Sequence, residues 1–229
     1  MILITSYYKT INEERNKEIN RCLFNNYNNR YIEKIYLLNN KIFNLDFMSD
    51  PYNKIEQIII SNNENYILKY CDAVEFINEN LKDKICILAN SDIYFDHTIQ
   101  KINNSVINNT CIALLRYDVD KNGNLKIFSQ HGLPRDDSQD SWIFRSPLNV
   151  NLKELNFSLG TLGCDNIFAN IIYKSKIGIY NPCFDIISIH LHNTEFRTYN
   201  VDNRLHGKYS LLTPCKLNDK KPDVKTIDY

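Results

Sequence analysis

The sequence has 229 residues, 43% hydrophobic and 24% charged, a composition that supports one substantial apolar core in a single domain. Lysine plus arginine and aspartate plus glutamate both number 27, so the formal net charge is zero and gives no electrostatic reason to expect a nucleic-acid partner. No apolar run reaches the roughly 18 to 20 residues of a membrane span, and seven scattered cysteines, never spaced C-x-x-C, argue against a disulfide framework or a zinc ribbon.

Residues Ile2 to Ser6 read as a short buried strand. The opening MILITSYYKT lacks a basic leader and a small-residue cleavage site, so it is expected to stay in the fold, in a cytoplasmic protein. Ile19, Cys22, Leu23 and Tyr27 recur at helical spacing and predict an amphipathic helix. Strands are predicted over Ile32 to Leu38 and, after the turn signal Asp50-Pro51, over Ile55 to Ile60. Tyr66, Ile67, Tyr70, Cys71, Val74 and Ile77 mark a second helix. The run Ile85 to Ala89 has the continuous apolar character of a parallel strand covered on both faces.

Alternating strands and helices predict crossover units and an α/β sheet with helices on both sides. Ligands in such sheets bind beyond the carboxyl ends of the strands, which singles out Ser6 to Tyr8, Asn39 to Asn40, Ser61 to Asn63 and Asn90 to Asp92. The second half carries predicted strands over Cys111 to Tyr117 and Leu125 to Ser129, joined by a turn at Asn122-Gly123, and another over Trp142 to Arg145. A helix over Asp165 to Tyr173 and a strand over Ile186 to His190 follow. The polar tail from Asn218 is expected to be loosely ordered.

Asp92 stands just past a buried strand, where a carboxylate can share a hard divalent cation with the phosphate oxygens of a substrate; Asn90 and Asp92 equally fit a turn cap. His190 and His192 fall on one face of a strand and suit Mn²⁺ beside a carboxylate, or serve a purely structural role. Asp165 follows Gly160 and Gly163 into a helix, as a helix-capping acid or as a group that orients or deprotonates a hydroxyl, with Asp140 able to do the same from its own loop. Trp142 fits either a sugar face or the core. Arg116, Arg135, Arg145 and Arg197 are candidates to neutralise a diphosphate. Neither G-x-G-x-x-G nor G-x-x-x-x-G-K-[ST] occurs, nor does a G-x-S-x-G elbow, which argues against dinucleotide-binding dehydrogenases, P-loop enzymes and α/β-hydrolases.

Five ordered segments, ILITSYY, ILANSDIYFD, QDSWIF, GTLGCDN and IHLHNTEFRTY, resemble those of GT-A glycosyltransferases, and most closely the small glycosyltransferase domains of large DNA viruses and their bacterial relatives. The resemblance covers about the first two hundred residues. It implies a GT-A, Rossmann-like mixed sheet flanked by helices over residues 1–217, with a nucleotide-binding half (1–96), an acceptor half (97–217) and a tail (218–229), and host cytoplasm as the location. It further implies a Mn²⁺- or Mg²⁺-dependent transfer from a nucleotide sugar, in most such enzymes a UDP-sugar, to a glycan or other hydroxyl acceptor. By the same resemblance Asp92 matches the last carboxylate of the family's D-x-D motif, with Asn90 in place of the first. His190 or His192 matches a late metal ligand, Asp165 the catalytic base, and Ser6 and Tyr7 line the base. Asn40 and Arg116 complete the expected donor site. The alternatives are a nucleotidyltransferase, which would want a phosphate-cradling Gly- and Lys-rich loop after the first strand, and a noncatalytic carbohydrate-binding domain of the same fold.

Overall fold

The computed structural model describes residues 1–120, 122–195 and 201–229. Its first half contains β1 (Ile2–Thr5), α1 (Glu13–Asn28), β2 (Lys34–Asn39), β3 (Ile55–Ile59), α2 (Tyr70–Asn80), β4 (Ile85–Ala89) and β5 (Ile93–Phe95). The second half contains β6 (Thr110–Leu114), β7 (Arg116–Val119), β8 (Leu125–Ile127), the short β9 (Ser129–Gln130) and β10 (Leu133–Pro134), and β11 (Ser141–Arg145). It closes with α3 (Cys164–Lys174), β12 (Gly178–Tyr180), β13 (Ser188–His190), β14 (Lys208–Leu211) and β15 (Lys225–Asp228).

Side chains alternate across a strand, so a strand that is apolar throughout must be covered on both faces. In β1, Ile2 and Ile4 enter one apolar cluster and Leu3 the other; in β4, Cys86 and Leu88 enter the first, Ile87 and Ala89 the second. The first cluster is closed by α2 and α3 through Val74, Ile77, Phe168 and Ile172, the second by α1 through Ile19 and Leu23. Between these layers runs a seven-stranded sheet of order β12-β6-β11-β4-β1-β2-β3. β1 pairs in parallel with β2 and β4, and β2 with β3, whereas β11 runs antiparallel between β4 and β6. The fold is therefore the expected α/β, Rossmann-like mixed sheet flanked by helices.

A second sheet, β5-β13-β7-β8, stands beside the first. The segment predicted as one strand over Cys111 to Tyr117 passes between the two sheets and breaks at Leu115, whose N–H leaves the ladder and donates to Asn181 Oδ1 at 3.0 Å. A long-range partner for that N–H is invisible in local sequence. The helix predicted from Tyr66 starts at Tyr70, because Tyr66 N–H closes a turn onto Asn63 O instead. The tail carries β15, paired antiparallel with β14. Trp142 is core rather than a sugar platform: it is 1% exposed and packs edge-to-face on Phe168 with ring centroids 4.7 Å apart. All seven cysteines are free thiols, and among the described residues no helix is long and apolar enough to cross a membrane.

Candidate active site

The carboxyl ends of β1, β2 and β4 converge on one edge of the large sheet, and the amino end of α1 lies against the same edge. Asp92 follows β4 there. β13 brings the histidines to it from far along the chain: His190 pairs with Ile93 of β5 on one side and with Asp118 of β7 on the other, and Leu191 N–H donates to Asp92 O at 3.0 Å. Asp92 Oδ2 consequently lies 3.2 Å from His190 Nε2, 3.5 Å from His192 Nδ1 and 2.5 Å from Arg15 Nη2. Burial alone would raise the Asp92 carboxyl, but the two imidazoles and the Arg15 guanidinium outweigh it and hold it well below the usual carboxylate range. Burial likewise pushes His190 down, while Asp92 and Asp118 overcome this and bring it up to about 9.

The ligand atoms of Asp92, His190 and His192 lie within 4.8 Å of one another. One carboxylate and two imidazoles suit Mn²⁺ or a similar transition metal better than Ca²⁺. The outer shell fits as well. His190 Nδ1 is 2.8 Å from Asp118 Oδ1, a carboxylate–histidine contact of the kind that orients metal-binding imidazoles, and its Nε2 faces Asp92 Oδ2. The ligand segment is held from α1: Arg15 Nη1 donates to Leu191 O at 3.1 Å, and Glu18 accepts from Asn193 N–H at 2.7 Å and Thr194 N–H at 3.0 Å.

Asn90 does not join this group. Its Nδ2 donates to Asp140 Oδ1 at 3.0 Å and its N–H to Asp140 O at 3.1 Å, because β11 runs directly alongside β4. Asp140 Oδ2 accepts from Arg116 Nη1 at 2.8 Å, and Arg116 Nε donates to Asp118 Oδ1 at 3.1 Å while its guanidinium stacks 3.9 Å above the Phe128 ring. Arg116 thus joins the Asp92 group to the Asp140 loop. Asp165 sits in the first turn of α3, after Gly163 in the left-handed region (φ 82°), and its Oδ2 accepts from Gln139 N–H at 3.0 Å. Burial, reinforced by the neighbouring Asp140, pushes its carboxyl up to about 7, where it can take a proton near neutral pH.

The remaining expectations fare unevenly. Ser6 Oγ is 3.0 Å from Ser91 Oγ, bridging the ends of β1 and β4 beside Asp92. Asn40 Nδ2 donates to Asn63 O and Glu64 O, linking the loops beyond β2 and β3. Tyr7 does not line the site: its ring is buried beside Phe43 and Phe47, and its N–H is taken by Asn39 Oδ1. Both tyrosines lie beyond β1, and it is Tyr8 that turns toward the Asp92 group, with its hydroxyl 3.4 Å from Arg15 Nη2. Arg135 is paired with Asp137, and Arg145 lies at the far end of β11 opposite Ile85, donating to Asp83 O. Arg197 and the FRTY part of the closing segment lie outside the described residues. Arg15, Glu18 and Asp118 were not foreseen from sequence; charged residues within a polar helix or an exposed-looking strand carry no local mark of such a role.

No family model matches the sequence, and no curated protein matches it. Among solved structures the chain is similar to 2-C-methyl-D-erythritol 4-phosphate cytidylyltransferase of Francisella tularensis, at 13% identity and TM-score 0.44 over 88% of this chain and 94% of that one. It is also similar to 4-diphosphocytidyl-2C-methyl-D-erythritol synthase of Anaerococcus prevotii, at 9% identity and TM-score 0.45 over 79% and 85%, and to HddC of Yersinia pseudotuberculosis, at 14% and 0.43 over 76% and 98%. At this level of likeness the chemistry must be argued from the chain's own side chains.

Proposed function

We propose that this chain is a metal-dependent glycosyltransferase that moves a sugar from a nucleoside-diphosphate donor, a UDP-sugar in the first instance, to a hydroxyl of a glycan or similar acceptor. The observation that carries the reading is the meeting of Asp92, His190 and His192 at the carboxyl end of the parallel strands, linked through Arg116 and Asn90 to a second acidic pair, Asp140 and Asp165.

Asp92, His190 and His192 would hold Mn²⁺ or Mg²⁺, which when bound supplies positive charge for the diphosphate that leaves the anomeric carbon. Arg15 and Asp118 orient the ligands. Ser6, Tyr8 and Asn40 follow β1 and β2 on the side of the sheet where the nucleoside would lie. Asp165, poised near pH 7, accepts the proton of the acceptor hydroxyl as the new glycosidic bond forms and the bond from the anomeric carbon to the diphosphate oxygen breaks. Asp140 keeps Arg116 and Asn90 in place beside it.

Nucleotidyl transfer, the activity named for the cytidylyltransferases above, is a second reading, supported by the same kind of sheet and cation site. It attacks phosphorus and releases pyrophosphate from a nucleoside triphosphate. Against it stands the stretch Thr5 to Glu14, TSYYKTINEE, which contains no glycine to let backbone amides wrap a triphosphate. Calorimetric titration of UDP, several UDP-sugars and CTP, with and without Mn²⁺, separates the two. Micromolar UDP-sugar binding that requires Mn²⁺ and disappears in Asp92→Ala supports glycosyl transfer. Binding of CTP alone supports the second reading, and binding of no nucleotide would leave a noncatalytic carbohydrate-binding domain.

A further inference from the structure

The last part of the chain touches both acid-bearing loops. Leu205 N–H donates to Leu162 O at 2.9 Å, just before the Gly163 turn that launches Asp165. Tyr209, on β14, donates its hydroxyl to Leu205 O and occupies the space that a side chain at position 163 would fill. At the other end of the same strand, Leu212 N–H donates to Asp136 O at 2.7 Å, in the loop that leads to Gln139 and Asp140. One strand therefore fixes the turn below Asp165 and the loop above it.

β15 clamps that strand from outside. The Tyr229 ring stacks on Tyr209 with centroids 4.9 Å apart and planes 1° from parallel, and Gly207 and Tyr229 exchange backbone hydrogen bonds of 3.1 and 3.0 Å. Arg204 lies over the Tyr229 ring, 4.9 Å from its centroid. Tyr229 thus covers one face of the Tyr209 ring whose hydroxyl is bonded to Leu205 O beside Gly163.

We infer that β14 and β15 form a brace that sets the position of Asp165 relative to Asp140, with Tyr209 and Tyr229 as its positioning residues. The inference rests on the reading of Asp165 as the acceptor-side base. Displacing a catalytic group by a fraction of an ångström costs rate without costing donor affinity where the donor is bound through other groups, here the proposed Asp92 cluster.

The test uses the full chain carrying Tyr229→Ala or Tyr229→Phe. Tyr229 is 54% exposed, so removing its ring leaves the core intact. Tyr229→Ala should lower kcat about tenfold with the donor KM unchanged, and should speed hydrogen exchange at the amides of Leu205 and Ile167; Tyr229→Phe, which keeps the stack, should restore both. Should the alanine variant fail to fold, Tyr229→Leu is read in the same way. Unchanged exchange at Leu205 and Ile167 overturns the brace, as does a loss of donor affinity equal to the loss of kcat. If the native chain turns over no donor at all, glycosyl transfer fails, and the exchange rates still decide whether Tyr229 holds the Asp165 turn.

Discussion

Asp118 stands directly opposite His190 in the parallel pairing of β7 with β13, and its Oδ1 lies 2.8 Å from His190 Nδ1. That contact commits one imidazole nitrogen to the protein and leaves Nε2 facing Asp92, the orientation the proposed cation site needs. Asp118→Asn should weaken Mn²⁺ binding by about 10- to 100-fold while leaving the fold intact, which a calorimetric titration of the cation measures. An unchanged affinity would remove Asp118 from the site.

Asp165 links rate to pH. Its carboxyl is pushed up to about 7 by burial and by Asp140, so turnover should climb through pH 7 as the base ionises and level off above it. Asp165→Asn should cost about 10²- to 10⁴-fold in kcat, abolish that rise and spare donor binding. The same raised value has a stability consequence of defined sign. Between about pH 4 and pH 7 the folded chain retains a proton that the unfolded chain has lost, so this group's contribution to stability declines as pH rises through that window and is flat above it. Urea melts of the native chain and of Asp165→Asn across the window measure the difference, which should vanish in the variant.

Gly163 admits no side chain. It has φ 82°, and a methyl group there would fall on the Tyr209 hydroxyl and within 3.1 Å of Leu205 O. Gly163→Ala should cost about 2 to 4 kcal/mol, measured by denaturant unfolding. A neutral result would mean that Tyr209 is free to move.

Glu18 anchors the histidine segment from α1. It receives the N–H groups of Asn193 and Thr194, the Thr194 hydroxyl at 3.2 Å and Arg15 Nη1 at 3.0 Å. Glu18→Ala leaves a buried guanidinium and two amides short of a partner. It should destabilise the chain by about 3 kcal/mol and weaken Mn²⁺ binding through His192. Thermal unfolding and the cation titration read the two effects separately.

The placement of several of these residues was legible in the sequence, for identifiable reasons. The apolar run Ile85 to Ala89 could only be a covered strand, which put Asp92 at its carboxyl end; the expected shared strand face of His190 and His192 is not how they meet, since β13 ends at His190 and His192 lies just beyond it. What escaped depends on register between distant strands or on burial of charge. Nothing local marks Asp118 as the cross-strand partner of His190, or distinguishes Arg15 and Glu18, buried against the site, from Glu14 and Lys17, which form an exposed pair on the same helix. The choice between Tyr7 and Tyr8 turned on the path of the loop beyond Thr5, and Asn90 was drawn away from the Asp92 group by a strand, β11, that joins the sheet fifty residues later.

Cation-dependent cleavage of a nucleotide sugar is read out by chromatographic detection of the freed nucleoside diphosphate. The full chain would be incubated with each of a panel of nucleotide sugars, with Mn²⁺ or with a chelator, beside Asp92→Ala. A cation-dependent glycosyltransferase should release the diphosphate from one donor, dependent on Mn²⁺ and lost in Asp92→Ala. Release that continues undiminished in the chelator and in Asp92→Ala, or no release from any nucleotide sugar, would contradict it.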